Sequence, residues 1–232
     1  MATLPFRTML SFSHAAMVLA LLSAPVSAQT VPDDARPLSP AQTLLFETPH
    51  LRTITAPGTL RYSFTREGGM TVSDTIGVRI RRVNPDGTKD LQFEYLTGER
   101  QVRWPDLDHF RGNPLLMHTL DRDVAEMKEQ VGLSAAYFRN KLRESFVDGA
   151  AVTDTTFTVN GAAAPARAVT VQPFLHDQRL ERIVSLQQKS YTFVLSDAVP
   201  GMLAEIRIAI PPDAAMQAPG MVQRTTFVGV EQ

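Results

Sequence analysis

The stretch GTLRYSFTREGGMTVSDTIGVRIRRVNPDGTKDLQFEY, residues 58–95, decides the fold class. Leu60, Tyr62 and Phe64 alternate with Arg61, Ser63 and Thr65; Ile76, Val78 and Ile80 alternate with Gly77, Arg79 and Arg81; Leu91, Phe93 and Tyr95 alternate with Gln92 and Glu94. Successive side chains of a strand point to opposite faces, so this period of two predicts half-buried antiparallel strands, dry on one side and wet on the other. Gly68-Gly69 and Asn84-Pro85-Asp86-Gly87 supply the residues that tight turns need. The segment reads as a β-meander.

Downstream the period lengthens. Asn113 can cap a helix that Pro114 starts at a ready-made φ, and Leu116, Leu120, Val124 and Met127 then recur at helical spacing. Gly132 ends that helix. Ser134 caps a second one, with Ala135, Phe138, Leu142 and Phe146 on one face, closed by Asp148-Gly149. Strand signals return at 152–159, followed by the Asn160-Gly161 hairpin turn, with a returning strand expected at 168–172. Residues 176–188 fit a helix better than a strand. Tyr191, Phe193 and Leu195 alternate, Met202 to Ile210 forms the cleanest strand, and a short last strand is expected near 225–230.

Upstream, Arg7, the apolar run AAMVLALL (15–22), Pro25 and the small residues Val26-Ser27-Ala28 make a three-part export signal. Residues 1–28 therefore read as a signal peptide cut between Ala28 and Gln29. Residues 29–40 read as an extended lead-in, and 41–232 as a single α+β domain. Ser39-Pro40 looks like a capped helix start, with Leu44, Leu45 and Leu51 on one face and Pro49 interrupting. The apolar run falls short of the roughly 20 residues of a membrane span, so no span is expected in the mature chain. The expected location is periplasmic or extracellular.

Composition narrows the function. With 44% hydrophobic residues, 20% charged and a net charge of −1, the chain is too apolar for a disordered protein and too neutral for one held by phosphate contacts. Nucleic acid is not an expected partner. The absence of cysteine excludes thiolate metal sites and any lipid-modified N-terminal cysteine. His50, His109, His118 and His176 form no H-x-x-x-H pair. His118 and Asp121 could share a helix face, but two ligands are fewer than a metal site uses. There is no G-x-S-x-G elbow, S-x-x-K motif or phosphate loop. The pairs Asp106/Asp108 and Asp121/Asp123 read as solvated acids near helix starts. Arg61, Arg66, Arg79, Arg81 and Arg82 read as a salt-bridged sheet surface, and Trp104 as half-buried packing. No catalytic residue, metal or cofactor is assigned.

What remains is apolar architecture. An antiparallel sheet whose dry face carries Tyr62, Phe64, Phe93, Tyr95, Tyr191 and Phe193 must be covered, and the helices between 114 and 146 are the available cover. If cover and sheet fit tightly, these rings are a core. If the sheet curves and the helices act as a lid, with Leu116, Leu120, Val124, Met127 and Phe138 beneath it, the rings line a cavity for acyl chains. The order of elements resembles the bacterial periplasmic lipoprotein carriers of the LolA and LolB kind, through the short helix before Leu51, the opening strand GTLRYSF at 58–64 and the mid-chain helices. That resemblance implies an incomplete antiparallel barrel plugged by helices and a lipid or lipoprotein as partner. In the LolA type a barrel arginine anchors the lid; here Arg61 falls on the wet face. The LolB type is anchored through a cysteine that this chain lacks.

The expected fold is thus α+β, a curved antiparallel sheet (an incomplete barrel) covered by a mid-chain helical hairpin. The expected function is non-covalent binding of an apolar ligand by an exported protein, as a carrier. The alternatives are an envelope protein acting through protein–protein contact, its partner unknown, and an unrecognised hydrolase.

Overall fold

A computed structural model describes residues 36–214, 217 and 219–232. The export signal, its cut site at Ala28 and Gln29, and most of the lead-in lie outside the described residues. A nine-stranded sheet dominates: β1 (Gly58–Glu67), β2 (Val72–Val83), β3 (Lys89–Tyr95), β4 (Leu107–Phe110), β5 (Ala151–Val159), β6 (Ala162–Val171), β7 (Ser190–Leu195), β8 (Leu203–Ile210) and β9 (Met221–Glu231). Its order is β4-β3-β2-β1-β9-β8-β7-β6-β5, every neighbouring pair antiparallel, and it does not close into a barrel. Two meanders are joined where β1 pairs with β9, with a bulge between Arg61 and Tyr62.

The order explains the helical cover. The chain leaves the sheet at one edge, β4, and re-enters at the opposite edge, β5. Between them lie the helices α2 (Leu115–Val131) and α3 (Ala135–Asp148). A connection between opposite edges has to cross a face of the sheet, and a face made of aromatic rings is the one that needs covering. The start and stop signals act as their chemistry dictates. Asn113 Oδ1 accepts from the Leu115 N–H at 3.1 Å, Gly132 ends α2 at φ 76°, and Ser134 caps the Tyr137 N–H of α3. Before the sheet, Ser39 and Gln42 form a reciprocal capping box on the short α1 (Pro40–Gln42), which runs into a π turn at Thr43–Glu47 and a 3₁₀ turn at His50–Thr53.

Three sequence expectations change. The hairpin after Asn160-Gly161 resumes at once, so β6 begins at Ala162 rather than Ala168: the alanine run hides its parity but breaks no ladder. The last strand is longer than expected, because β9 is the inner partner of β1 and β8. Residues 176–188 hold only a 3₁₀ turn at Gln178–Leu180 and a single turn α4 (Val184–Gln187) rather than a continuous helix.

One glycine holds a close approach. Gly68 lies at φ 101°, and a Cβ there would sit 1.8 Å from the Gly220 carbonyl oxygen, where the β1–β2 turn abuts the segment before β9. Gly68→Ala should therefore cost more than about 2 kcal/mol through backbone strain and displacement. In a thermal melt this reads as a fall in Tm of about 5 °C or more. An unchanged Tm would show that the two segments are free to separate.

Candidate functional site

The six rings Tyr62, Phe64, Phe93, Tyr95, Tyr191 and Phe193 share the covered face and are only 0–8% exposed. The residues proposed for the lid, Leu116, Leu120, Val124, Met127 and Phe138, are buried as well. Phe146 of α3 stacks toward Phe193 at 5.9 Å between centroids, and Phe138 meets Phe174 edge-on at 5.7 Å. The rings and the sheet-facing side of the helices are packed together.

The apolar recess lies between the two helices and the π turn, apart from the sheet rings. A groove of about 350 Å³ runs between α2, α3 and the π turn, walled by Leu120, Val124, Leu142 and Phe146. Met117 and Phe46, exposed by 47% and 38%, form its open lip, and Phe46 stands edge-on to Phe146 at 5.1 Å. None of the six sheet rings lines it. Gln42, Asp121, Arg139 and Arg143 supply the polar margin. Arg139 Nε reaches Asp121 at 3.3 Å, whereas Arg143 reaches only the Asn140 amide oxygen at 3.3 Å. One cation at the margin therefore has no carboxylate partner among the described residues.

Beneath the groove α2 is tied to the sheet by polar groups. Lys189 Nζ donates to Asp123 at 2.6 Å, both side chains being almost wholly buried, and the Tyr191 hydroxyl donates to the other Asp123 oxygen. Burial, and then the Asp123 carboxylate, push the Tyr191 hydroxyl far above its ordinary pKa, so it stays a donor. Arg122 lies over the rings of Phe64 and Tyr95, 5.8 and 5.4 Å from their centroids, and bonds Glu126 at 3.2 Å. Glu126 also receives Arg66 from β1 at 3.0 Å.

These contacts correct two readings. Asp123 is not a solvated acid near a helix start; α2 begins eight residues earlier, and Asp123 sits on its sheet-facing side. Arg66 is not a wet-face residue either, since it shares the parity of Tyr62 and Phe64 and meets α2 where the sheet ends. The clamp was missed although strand parity points to it: Lys189 precedes Tyr191 by two.

Three of the sheet-surface arginines have carboxylate partners. Arg61 bonds Glu94 and Glu231, Arg81 pairs with Asp106 and Asp108 at 3.5 and 3.1 Å, and Arg82 bonds Asp90 at 2.7 Å. Trp104 lies half-buried against His118 at 4.0 Å, and Phe93 closes the other contact of that imidazole at 4.5 Å. His50, His109, His118 and His176 occupy separate elements: the 3₁₀ turn, β4, α2 and the loop after β6. Among the described residues no group of three or more His, Asp or Glu could hold a metal ion.

His50 has a further role. Its Nε2 donates to the Leu44 carbonyl at 2.8 Å and its Nδ1 accepts from the Asn113 N–H at 3.1 Å, while the Asn113 amide bonds the Tyr62 hydroxyl and the Gly201 carbonyl. This arrangement requires the neutral ring, and burial lowers the His50 pKa. Burial lowers that of His118 too. The unfolded chain takes up these protons near pH 6.5. Stability present above pH 6.5 should therefore fall as pH drops below it. Urea titrations from pH 7.5 to 5 should show a declining midpoint with a shallower slope in His50→Gln; equal slopes would remove His50 from the account.

No family model matches this chain, and no curated protein matches it. Among solved structures it is similar to the Mycobacterium tuberculosis lipoprotein LppX, at 9% sequence identity over 75% of this chain and 86% of that one, with a TM-score of 0.32. Among the described residues no helix is long and apolar enough to cross a membrane.

Proposed function

We propose that this chain is an exported protein, cut between Ala28 and Gln29, that binds the acyl chain of an anionic lipid non-covalently in the groove between α2 and α3. The observation that carries this reading is the groove itself. Ligand recesses of about 300–1,000 Å³ with apolar walls and a few polar groups at the margin are the usual form of a small-molecule site. This one has about 350 Å³, an apolar wall, and Arg143 at its margin without a carboxylate partner among the described residues. The flexible thioether of Met117 suits chains of differing shape. The ligand stays between the two helices and the π turn, apart from the packed sheet rings.

The driving force is removal of methylenes from water, worth about 0.8 kcal/mol each. Affinity for saturated fatty acids from octanoate to palmitate should thus rise about fourfold per added methylene until the groove is filled, then level off. Each acid should bind more tightly than the alcohol of equal length, and Arg143→Ala should remove that difference. Isothermal titration across the series checks both. Affinity that is independent of chain length, or no binding at all, would end the proposal. N-terminal sequencing of the exported product should begin at Gln29.

A further inference from the structure

The two edges of the sheet are unlike. At one edge β4 is four residues long, with Asp108 and His109 in it and Asp106 and Arg111 beside it. At the other, β5 runs nine residues, AVTDTTFTV, with one acid and neither lysine nor proline. Charge, proline and shortness are how exposed edges avoid pairing, and β5 has little of any. Ala151, Thr153, Asp154, Thr155, Thr156 and Thr158 are all exposed.

The hairpin fixes which backbone groups of β5 are free. Asn160 and Gly161 form a two-residue turn with both φ values positive, 50° and 81°. Such a turn makes Val159 and Ala162 a hydrogen-bonded pair. Counting back by two, Phe157, Thr155, Thr153 and Ala151 also bond toward β6. Val152, Asp154, Thr156 and Thr158 therefore turn their N–H and C=O groups away from it. Pro165, which has no N–H to give, stands opposite Thr156, as this phase requires. None of these outward groups has a backbone partner among the described residues.

We propose that β5 pairs edge to edge with β5 of a second copy of this chain, antiparallel about a two-fold axis at Thr155, joining two nine-stranded sheets into one. The register follows from the phase. Placing Thr155 opposite Thr155 sets Val152 against Thr158 and Asp154 against Thr156, so all four outward residues of each copy meet outward residues of the other. That makes about eight interstrand hydrogen bonds. Sliding by two residues one way sets Asp154 against Asp154. Sliding the other way sets Val152 against the turn residue Asn160. The register centred on Thr155 alone uses every free group and separates the acids, and its isologous pairing closes the assembly at two copies.

The absence of cysteine makes the register directly testable. Thr155 would face its own copy in a non-hydrogen-bonded pair, where side chains approach most closely. Light scattering and sedimentation of the purified full chain should show a concentration-dependent dimer. Oxidised Thr155→Cys should then link into covalent dimers, while Thr153→Cys should link only when mixed with Phe157→Cys. Thr155→Lys, at an exposed site and with an unchanged circular dichroism spectrum, should weaken the dimer roughly tenfold or more by setting like charges opposite each other. A monomer up to several hundred micromolar would overturn the proposal. So would a dimer indifferent to Thr155→Lys, or one in which Thr155→Cys links no faster than Thr153→Cys.

Discussion

Asp123→Ala should lower the free energy of unfolding by about 3–5 kcal/mol, the range for breaking one partner out of a buried ion pair. The substitution strands the Lys189 ammonium, whose side chain is 3% exposed, and removes the acceptor of the Tyr191 hydroxyl. The cost arises from uncompensated burial more than from lost attraction. Replacing the whole cluster at once, Asp123→Leu with Lys189→Met and Tyr191→Phe, should therefore recover most of the loss. Urea denaturation of the single and triple variants makes the comparison. A single-variant cost below about 1 kcal/mol would mean that this cluster does not hold α2 to the sheet. The consequence for function is mechanical, because α2 carries Leu120 and Val124, which wall the groove.

Met117→Glu should reduce affinity for palmitate tenfold or more while leaving stability within about 0.5 kcal/mol of the parent. Met117 is about half exposed, so its replacement removes no core packing. In the complex, a carboxylate at that lip would have to lose water against a hydrocarbon chain and would stand near the ligand's own negative charge. Met117→Leu keeps the apolar lip and should keep the affinity. Calorimetric titration of the three proteins would refute the groove reading if Met117→Glu bound palmitate as well as the parent did.

Much of the fold was legible because burial on one face leaves a period in the chain. The alternation from Leu60 to Tyr95 marks the first three strands, and the spacing Leu116, Leu120, Val124, Met127 marks the covering helix. What was not legible are partnerships between distant positions. Nothing near Asp123 names Lys189, 66 residues on, as its counter-ion, and a charged residue at a core-parity position reads as an error until its partner is known. The run AAAPA at 162–166 was opaque because small side chains carry little pattern, although its backbone pairs in full register with β5. The candidate site was legible only in part. Leu120 and Val124, marked by helical spacing, wall the groove, but where the recess opens depends on packing that periodicity does not encode.

The most direct measurement follows two methyl groups. Met117 forms the lip of the groove, whereas Met127 is fully buried beneath α2, its sulfur 3.9 Å from the Tyr191 hydroxyl. In a ¹³C-methyl methionine NMR spectrum, adding palmitate should shift the Met117 resonance in proportion to occupancy and leave Met127 in place. A shift at Met127 would put the ligand among the sheet rings instead, and a spectrum unmoved at both positions would contradict lipid binding altogether.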